Sequence, residues 1–248
     1  MVEQKRGEYV IRPATKADLH RVLSWLREEW NGVYGFWGNR DMISEGQKQG
    51  DLTVLVRSSD DLLLGFLLGS DRSMAIMAIK PEFRRQGLGR SLAESGLRRV
   101  EAAGRFGLII ECEPKMSVPF WEGLGFRHVD RPSGRDCYYY AFLTFPKRFS
   151  LPSEAATASI HVELSTEYCW IQRPPELFDR RAAWVDQSKL ALETRIVDFT
   201  DSADTVVRIH VDGGLVWDRK VKYSNVVGVE YKDNFVRIDH VICPEPSA

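Results

Sequence analysis

The spacing of apolar residues changes character once along the chain, near residue 150, and this change limits the possible folds more than any other feature of the sequence. Before it, runs with the period of a strand alternate with runs of helical period. Leu19, Val22, Leu23, Leu26 and Trp30 recur at helical spacing over 15–30, and Thr15 with Asp18 offers an N-cap hydroxyl and a carboxylate three residues on. Residues 8–12, 52–57, 62–69, 73–79 and 107–113 read as strands, and 87–103 as a helix. This is an α/β arrangement around a mixed sheet. After it, residues 190–200, 205–211, 215–223, 226–231 and 235–241 alternate apolar and polar side chains between turns such as Asp212-Gly213-Gly214 and Lys232-Asp233-Asn234. That pattern predicts an antiparallel meander forming a sandwich or small barrel, preceded by one helix starting at Pro174-Pro175-Glu176. Pro146 to Ser159, with two prolines and then small residues, divides the chain into a domain over 1–150, a linker over 151–159 and a β domain over 160–248.

Charge divides at the same place. Up to Ser150 there are 23 Lys and Arg against 19 Asp and Glu; beyond it there are 11 against 16, so the overall net charge of −1 is a cancellation. A chain without a basic excess is not built for nucleic acid. The longest uncharged apolar run, Leu62 to Gly69, is far short of the roughly 20 residues a spanning helix needs, so no membrane is expected. Met1 to Glu8 lacks the apolar core of a secretory signal, which predicts a cytoplasmic protein. Cys112, Cys137, Cys169 and Cys243 show no CxxC spacing and read as reduced thiols. His20, His128, His161, His210 and His240 show no HxH or HExxH spacing, so no metal is expected.

The chemistry concentrates in Met77-Ala78-Ile79-Lys80-Pro81-Glu82-Phe83-Arg84-Arg85-Gln86-Gly87-Leu88-Gly89-Arg90-Ser91. A strand runs into a basic turn that opens a helix at two glycines. A helix start leaves about four N–H groups without partners and carries roughly half a positive charge, and both favour a phosphate. Gly87 and Gly89 let a pyrophosphate approach the backbone, and Arg84, Arg85 and Arg90 add charge around it. The segment is neither a P-loop nor a dinucleotide fingerprint.

Arg84-x-x-Gly87-x-Gly89 after that strand resembles the acetyl-coenzyme A signature of the GNAT N-acetyltransferase superfamily. Ile11-Arg12-Pro13-Ala14-Thr15 with Asp18 resembles the family's first strand and helix. Phe120-Trp121-Glu122-Gly123-Leu124-Gly125-Phe126 resembles its late aromatic-glycine turn, and Tyr138 to Phe145 its last strand. The resemblance covers about residues 8–145. It implies a mixed, mostly antiparallel sheet flanked by helices, splayed between 73–79 and 107–113, with acetyl-coenzyme A as cosubstrate. Backbone groups of Met77, Ala78 and Ile79 would then meet the pantetheine arm, and 85–90 with Ser91 the pyrophosphate. An amine, small-molecule or peptide, would attack the acetyl carbonyl directly.

The late motif departs from the family pattern, because many members carry Tyr where this chain has Trp121, and Asn where it has Pro114. An indole donates a hydrogen bond but transfers no proton at neutral pH, so Trp121 packs against coenzyme or core. The acid then falls to Tyr138, Tyr139, Tyr140, Ser117 or solvent. For the base, Glu111 and Glu113 alternate to one face of their strand and Cys112 to the other. Asp71 beside Arg72 reads as a solvated ion pair. Tyr34, Phe36 and Trp37 fall where the family binds its acceptor, either as a wall for an amine or as a plug of the core. The alternative to an enzyme is a non-catalytic acyl-coenzyme A-binding or regulatory module. The β domain resembles no family; acceptor selection and a homodimer interface are its open roles.

Overall fold

The computed structural model describes residues 4–6, 8–30, 35–129, 140–165, 175–200 and 202–243. By contact density the chain forms two compact units, Met1–Arg105 and Phe106–Ala248.

In the first unit the order is β1 (Gln4–Arg6), β2 (Tyr9–Pro13), α1 (Lys16–Glu29), a 3₁₀ turn (Phe36–Asn39), α2 (Arg40–Gln49), β3 (Leu52–Arg57), β4 (Leu63–Gly69), β5 (Met74–Ile79) and α3 (Leu88–Ala102). The five strands form one antiparallel sheet in chain order, with β5 at its edge. Helix α1 starts where the sequence places it. The Thr15 hydroxyl accepts from Asp18 N–H at 3.2 Å and the Asp18 carboxylate accepts from Thr15 N–H at 2.8 Å, a complete capping box. Asp18 is fully buried and also receives Arg12 at 2.5 Å and Arg21, while both arginines reach Asp61. Burial alone would raise the Asp18 carboxyl, but hydrogen bonds from Arg12, Thr15 and Arg21 outweigh it and hold it well below the usual carboxylate range. Strand β4 is buried along its whole length. Val22, Trp25, Leu26 and Ile43 from the first two helices pack against Phe66 and Leu68, and Gly96 of α3 comes so near Leu67 and Met74 that a Cβ would stand 2.7 Å from the Leu67 side chain. Asp71 is ion-paired with Arg72 at 3.8 Å and Arg105 at 3.6 Å.

The second unit begins with β6 (Gly107–Glu111), α4 (Val118–Glu122), β7 (Arg127–Val129) and β8 (Tyr140–Thr144), whose strands form an antiparallel sheet in the order β6-β8-β7. It continues with β9 (Thr157–Ser165), β10 (Glu176–Trp184), β11 (Lys189–Phe199), β12 (Val206–Val211), β13 (Gly214–Lys220), a 3₁₀ segment (Val221–Val227), β14 (Val229–Lys232) and β15 (Phe235–Ile242). These form one seven-stranded antiparallel sheet, curled as a half-barrel, in the order β13-β12-β9-β10-β11-β15-β14.

The second half departs from the sequence expectation in three ways. The expected helix at Glu176 is strand β10, because eight consecutive residues, Glu176 to Ala183, pair with Leu164 to Thr157 of β9, a strand not expected from the sequence. The strands are not a simple meander: β12 leaves β11 and pairs with β9, and β11 pairs with β15. The expected strand through 221–223 turns into 3₁₀ helix, held by the Ser224 hydroxyl donating to Lys220 O at 2.9 Å and accepting from Trp217 Nε1 at 2.9 Å. Compactness divides the chain between Arg105 and Phe106. The reason is an aromatic cluster of Phe106, Phe142, Val197, Phe199 and Phe235 that joins β6 and β8 to β11 and β15. Phe142 stacks on Phe199 at 5.1 Å, and Gly107 passes so close beneath Phe235 that a Cβ would lie 2.4 Å from its ring. Arg127 of β7 lies over Phe142 at 4.6 Å and donates to Asp198 of β11 at 2.7 Å, a carboxylate 1% exposed. Two of the four expected hairpin turns are present as two-residue loops, Asp212-Gly213 and Asp233-Asn234, with positive φ at all four residues, whereas Ser224-Asn225 lies within the 3₁₀ segment.

Candidate coenzyme cradle and carboxylate pair

The register of β5 decides which backbone groups it offers. Lys80 N–H donates to Leu64 O at 2.9 Å, and Ala78 and Ile76 lie opposite Phe66 and Leu68. In an antiparallel ladder hydrogen-bonded pairs alternate with non-bonded ones, so Met77 and Ile79 turn their N–H and C=O to the open edge while Ala78 faces the sheet. Ile79 O is met there by Arg84 Nε at 2.9 Å.

The turn that follows is shaped by two left-handed residues, Arg85 at φ +61° and Gly87 at φ +81°. Alternation of hand in successive residues points backbone N–H groups into one concavity. Gly87 is the N-cap of α3 and no side chain caps the helix, so its first amides are open to an anion. A Cβ at Gly87 would meet nothing within 4 Å, so the demand for glycine comes from φ and from room for what approaches. Gln86 reaches back to Glu82 O at 3.5 Å, and Arg90 faces Glu94 at 3.7 Å. Leu88 is buried in the core while Gly89 and Ser91 stand on the first turn; Ser91 Oγ is 2.7 Å from the Tyr9 hydroxyl, which ties that turn to β2.

In the second unit, Glu111 ends β6 opposite Tyr140 and both Glu111 and Glu113 are exposed, with buried Cys112 between them. Partial desolvation and the neighbouring Glu113 charge raise the Glu111 carboxyl above its ordinary value. Burial, with Glu122 and Glu111, pushes the Cys112 thiol up to about 11, which leaves it protonated and inert. Trp121 is 9% exposed, edge-on to Phe120 at 4.9 Å and Phe126 at 5.4 Å, so it packs in the core. Phe36 and Trp37 lie half-buried against the helix and sheet core of the first unit, with Arg40 over Trp37 at 5.5 Å. Tyr34, Tyr138, Tyr139, Cys137 and Cys169 lie outside the described residues.

Sequence reasoning missed α2, the Arg84 contact to Ile79 and the Glu111–Tyr140 pairing. Only the last had a signal, the alternation of both strands. Among the described residues no three His, Cys, Asp or Glu side chains converge as a metal site, and no helix is long and apolar enough to cross a membrane.

Residues 31–137 match the family profile described as acetyltransferase (GNAT) domain. Among solved structures, the chain is similar to the PaiA N-acetyltransferase of Thermoplasma acidophilum in complex with coenzyme A (17% identity, 55% of this chain and 99% of the other, TM-score 0.45). It is also similar to a GNAT-family acetyltransferase of Listeria monocytogenes (11%, 58% and 100%, 0.46). A third is N-acetylglutamate synthase of Neisseria gonorrhoeae with coenzyme A and N-acetylglutamate (14%, 56% and 36%, 0.41). No curated protein matches the sequence.

Proposed function

We propose that this chain is an acetyl-coenzyme A-dependent N-acetyltransferase that acetylates an amine, small-molecule or peptide, by direct attack, a reading supported by the match of residues 31–137 to the acetyltransferase (GNAT) domain profile. The observation that carries the reading is the open β5 edge at Met77 and Ile79 leading into the uncapped, glycine-opened start of α3. The edge would bond the amide groups of the pantetheine arm. The amides of Arg85, Gln86, Gly87, Leu88, Gly89 and Arg90 would hold the pyrophosphate, with Arg84 and Arg85 supplying charge.

When bound, the coenzyme supplies an acetyl thioester. Glu111 is the candidate to take the proton from the attacking amine, directly or through water, and the upward shift of its carboxyl makes it a better base. Glu113, two residues on and exposed, adds a negative charge that would favour a cationic acceptor. The leaving thiolate needs an acid, for which Tyr138 is the candidate. Phe36 and Trp37, with Tyr34, would line the acceptor side.

Acetyl-coenzyme A titrated by calorimetry should bind, and Gly87→Glu should abolish binding without lowering the melting temperature by more than a few degrees. Unchanged affinity in that variant removes the cradle. The second reading, a non-catalytic acyl-coenzyme A-binding module, is favoured by buried Trp121 standing where many members have a hydroxyl. Free thiol released with any member of an amine panel decides for the enzyme; tight binding with no release across the panel decides for the module.

A further inference from the structure

We propose that His161 and His210 form a binding site for one borderline divalent transition ion, of the class of Zn²⁺, Ni²⁺ and Cu²⁺, on the solvent-facing side of the seven-stranded sheet. The site is independent of the coenzyme cradle and of acetyl transfer. Three adjacent strands place it: His210 of β12 is register partner to His161 of β9, and His161 is register partner to Asp179 of β10. Directly opposite residues share a face with Cβ atoms about 4.5–5.5 Å apart, so the three side chains form a row. Buried Ile160 and Val162 flank His161 on the other face, which makes the row the outer one.

The imidazoles stand close enough to share one ion. Their ring centres are 5.9 Å apart at an interplanar angle of 67°. An imidazole nitrogen ligates at about 2.0–2.1 Å, which puts each ring centre roughly 3 Å from the ion and the two centres about 5–6 Å from each other. His161 Nδ1 lies 2.8 Å from Asp179 Oδ1. With the proton on Nδ1 donated to that carboxylate, the lone pair is on Nε2, the second-sphere arrangement that orients ligating histidines and raises their basicity. A third observation is independent of the side chains. β13 carries one extra residue, Val216, between the partners of Ile209 and His210, a bulge of the kind that re-aims a side chain next to a site.

The neighbouring charges do not compete. Glu163 is taken by Arg208 at 2.7 Å, and Asp212 accepts from Ser159 N–H at 2.8 Å. Beside His161 a depression of about 290 Å³, lined by Ser159, Ile160, Asp179, Arg180, Arg181 and Gly213, leaves room for further ligands, and its two arginines favour an anion among them. With two protein ligands the site binds in the micromolar range and leaves positions open, and imidazole donors select borderline ions over Ca²⁺ and Mg²⁺.

The untagged full chain is titrated with ZnCl₂ and NiCl₂ by calorimetry in a non-coordinating buffer, and with CuSO₄ by electron paramagnetic resonance. One equivalent should bind, Ni²⁺ tighter than Zn²⁺. His161→Ala and His210→Ala should each weaken binding at least tenfold, Asp179→Asn by about 10-fold or more, and His20→Ala and His128→Ala should leave it unchanged. The copper spectrum of the wild-type chain should show two nitrogen ligands. Absence of a one-equivalent site, a copper spectrum without paired nitrogens, or affinity retained in the folded His161→Ala/His210→Ala double variant overturns the proposal.

Discussion

Phe142→Ala is the sharpest probe of how the second unit is held together. Phe142 is 1% exposed, stacks on Phe199 at 5.1 Å, meets Phe235 edge-on at 6.5 Å and carries Arg127 over its ring at 4.6 Å. Truncating a buried Phe costs about 3–5 kcal/mol in lost transfer energy and cavity formation. Loss of the cation–π contact adds about 0.5–1 kcal/mol. A total of about 4 kcal/mol is a large part of the roughly 5–15 kcal/mol that holds a typical domain. At a urea slope of about 2 kcal/mol/M the midpoint should fall by about 2 M. Hydrogen exchange followed strand by strand carries the discriminating information. If β6–β8 and the curled sheet share one core, amides of β11 and β15 should lose protection together with those of β6 and β8. A division at 151–159 would instead confine the loss to β6–β8 and leave β11 and β15 protected. That outcome, or a midpoint shift under about 0.5 M, refutes the shared core.

Asp18 is held below the ordinary carboxylate range, so its contribution to stability is complete above the unfolded value near 4 and is lost as pH falls through the folded one; acid titration by circular dichroism should show it. Asp18→Asn should remove that acid dependence and cost about 2 kcal/mol at pH 7, measured by urea unfolding. Glu111→Gln should lower kcat of acetyl transfer by about 10²–10⁴ and flatten the acidic limb of the rate profile, which in the parent chain rises as the raised carboxyl ionises. Gly65→Ala should destabilise the first unit, because its Cβ would stand 2.6 Å from the Ala78 carbonyl, a backbone atom that cannot move aside; unchanged melting would contradict the β4–β5 register.

Where local chemistry decides the conformation, the sequence was sufficient. The Thr15–Asp18 box and the spacing of Val22 and Leu26 mark α1, the apolar run of β3 falls on Leu52–Arg57, and Asp212-Gly213 makes its turn unaided. Where pairing between distant segments decides, it was not. β10 has Pro175 and Glu176 at its start, which reads as a helix entrance, and only the ladder to β9 overrules that. Helix α2 buries only Ile43 and Gly46, so no apolar stripe announces it. The carboxylates Glu111 and Glu113 could be found from alternation alone. The His161–His210 row could not, because no strand is expected over 157–165 and β12 pairs with β9 rather than with β11, the strand before it.

The open edge of β5 also bears on how the protein behaves in solution. An edge strand with outward N–H and C=O groups is a template onto which any extended chain can add, another copy included. Met77 and Ile79 offer such groups on an apolar strand, and the Arg84 guanidinium blunts the edge at Ile79 O. A ligand lying along that edge would act as a sacrificial strand. Purification and storage with saturating coenzyme A should therefore suppress aggregation that begins at β5, and Arg84→Ala should accelerate it.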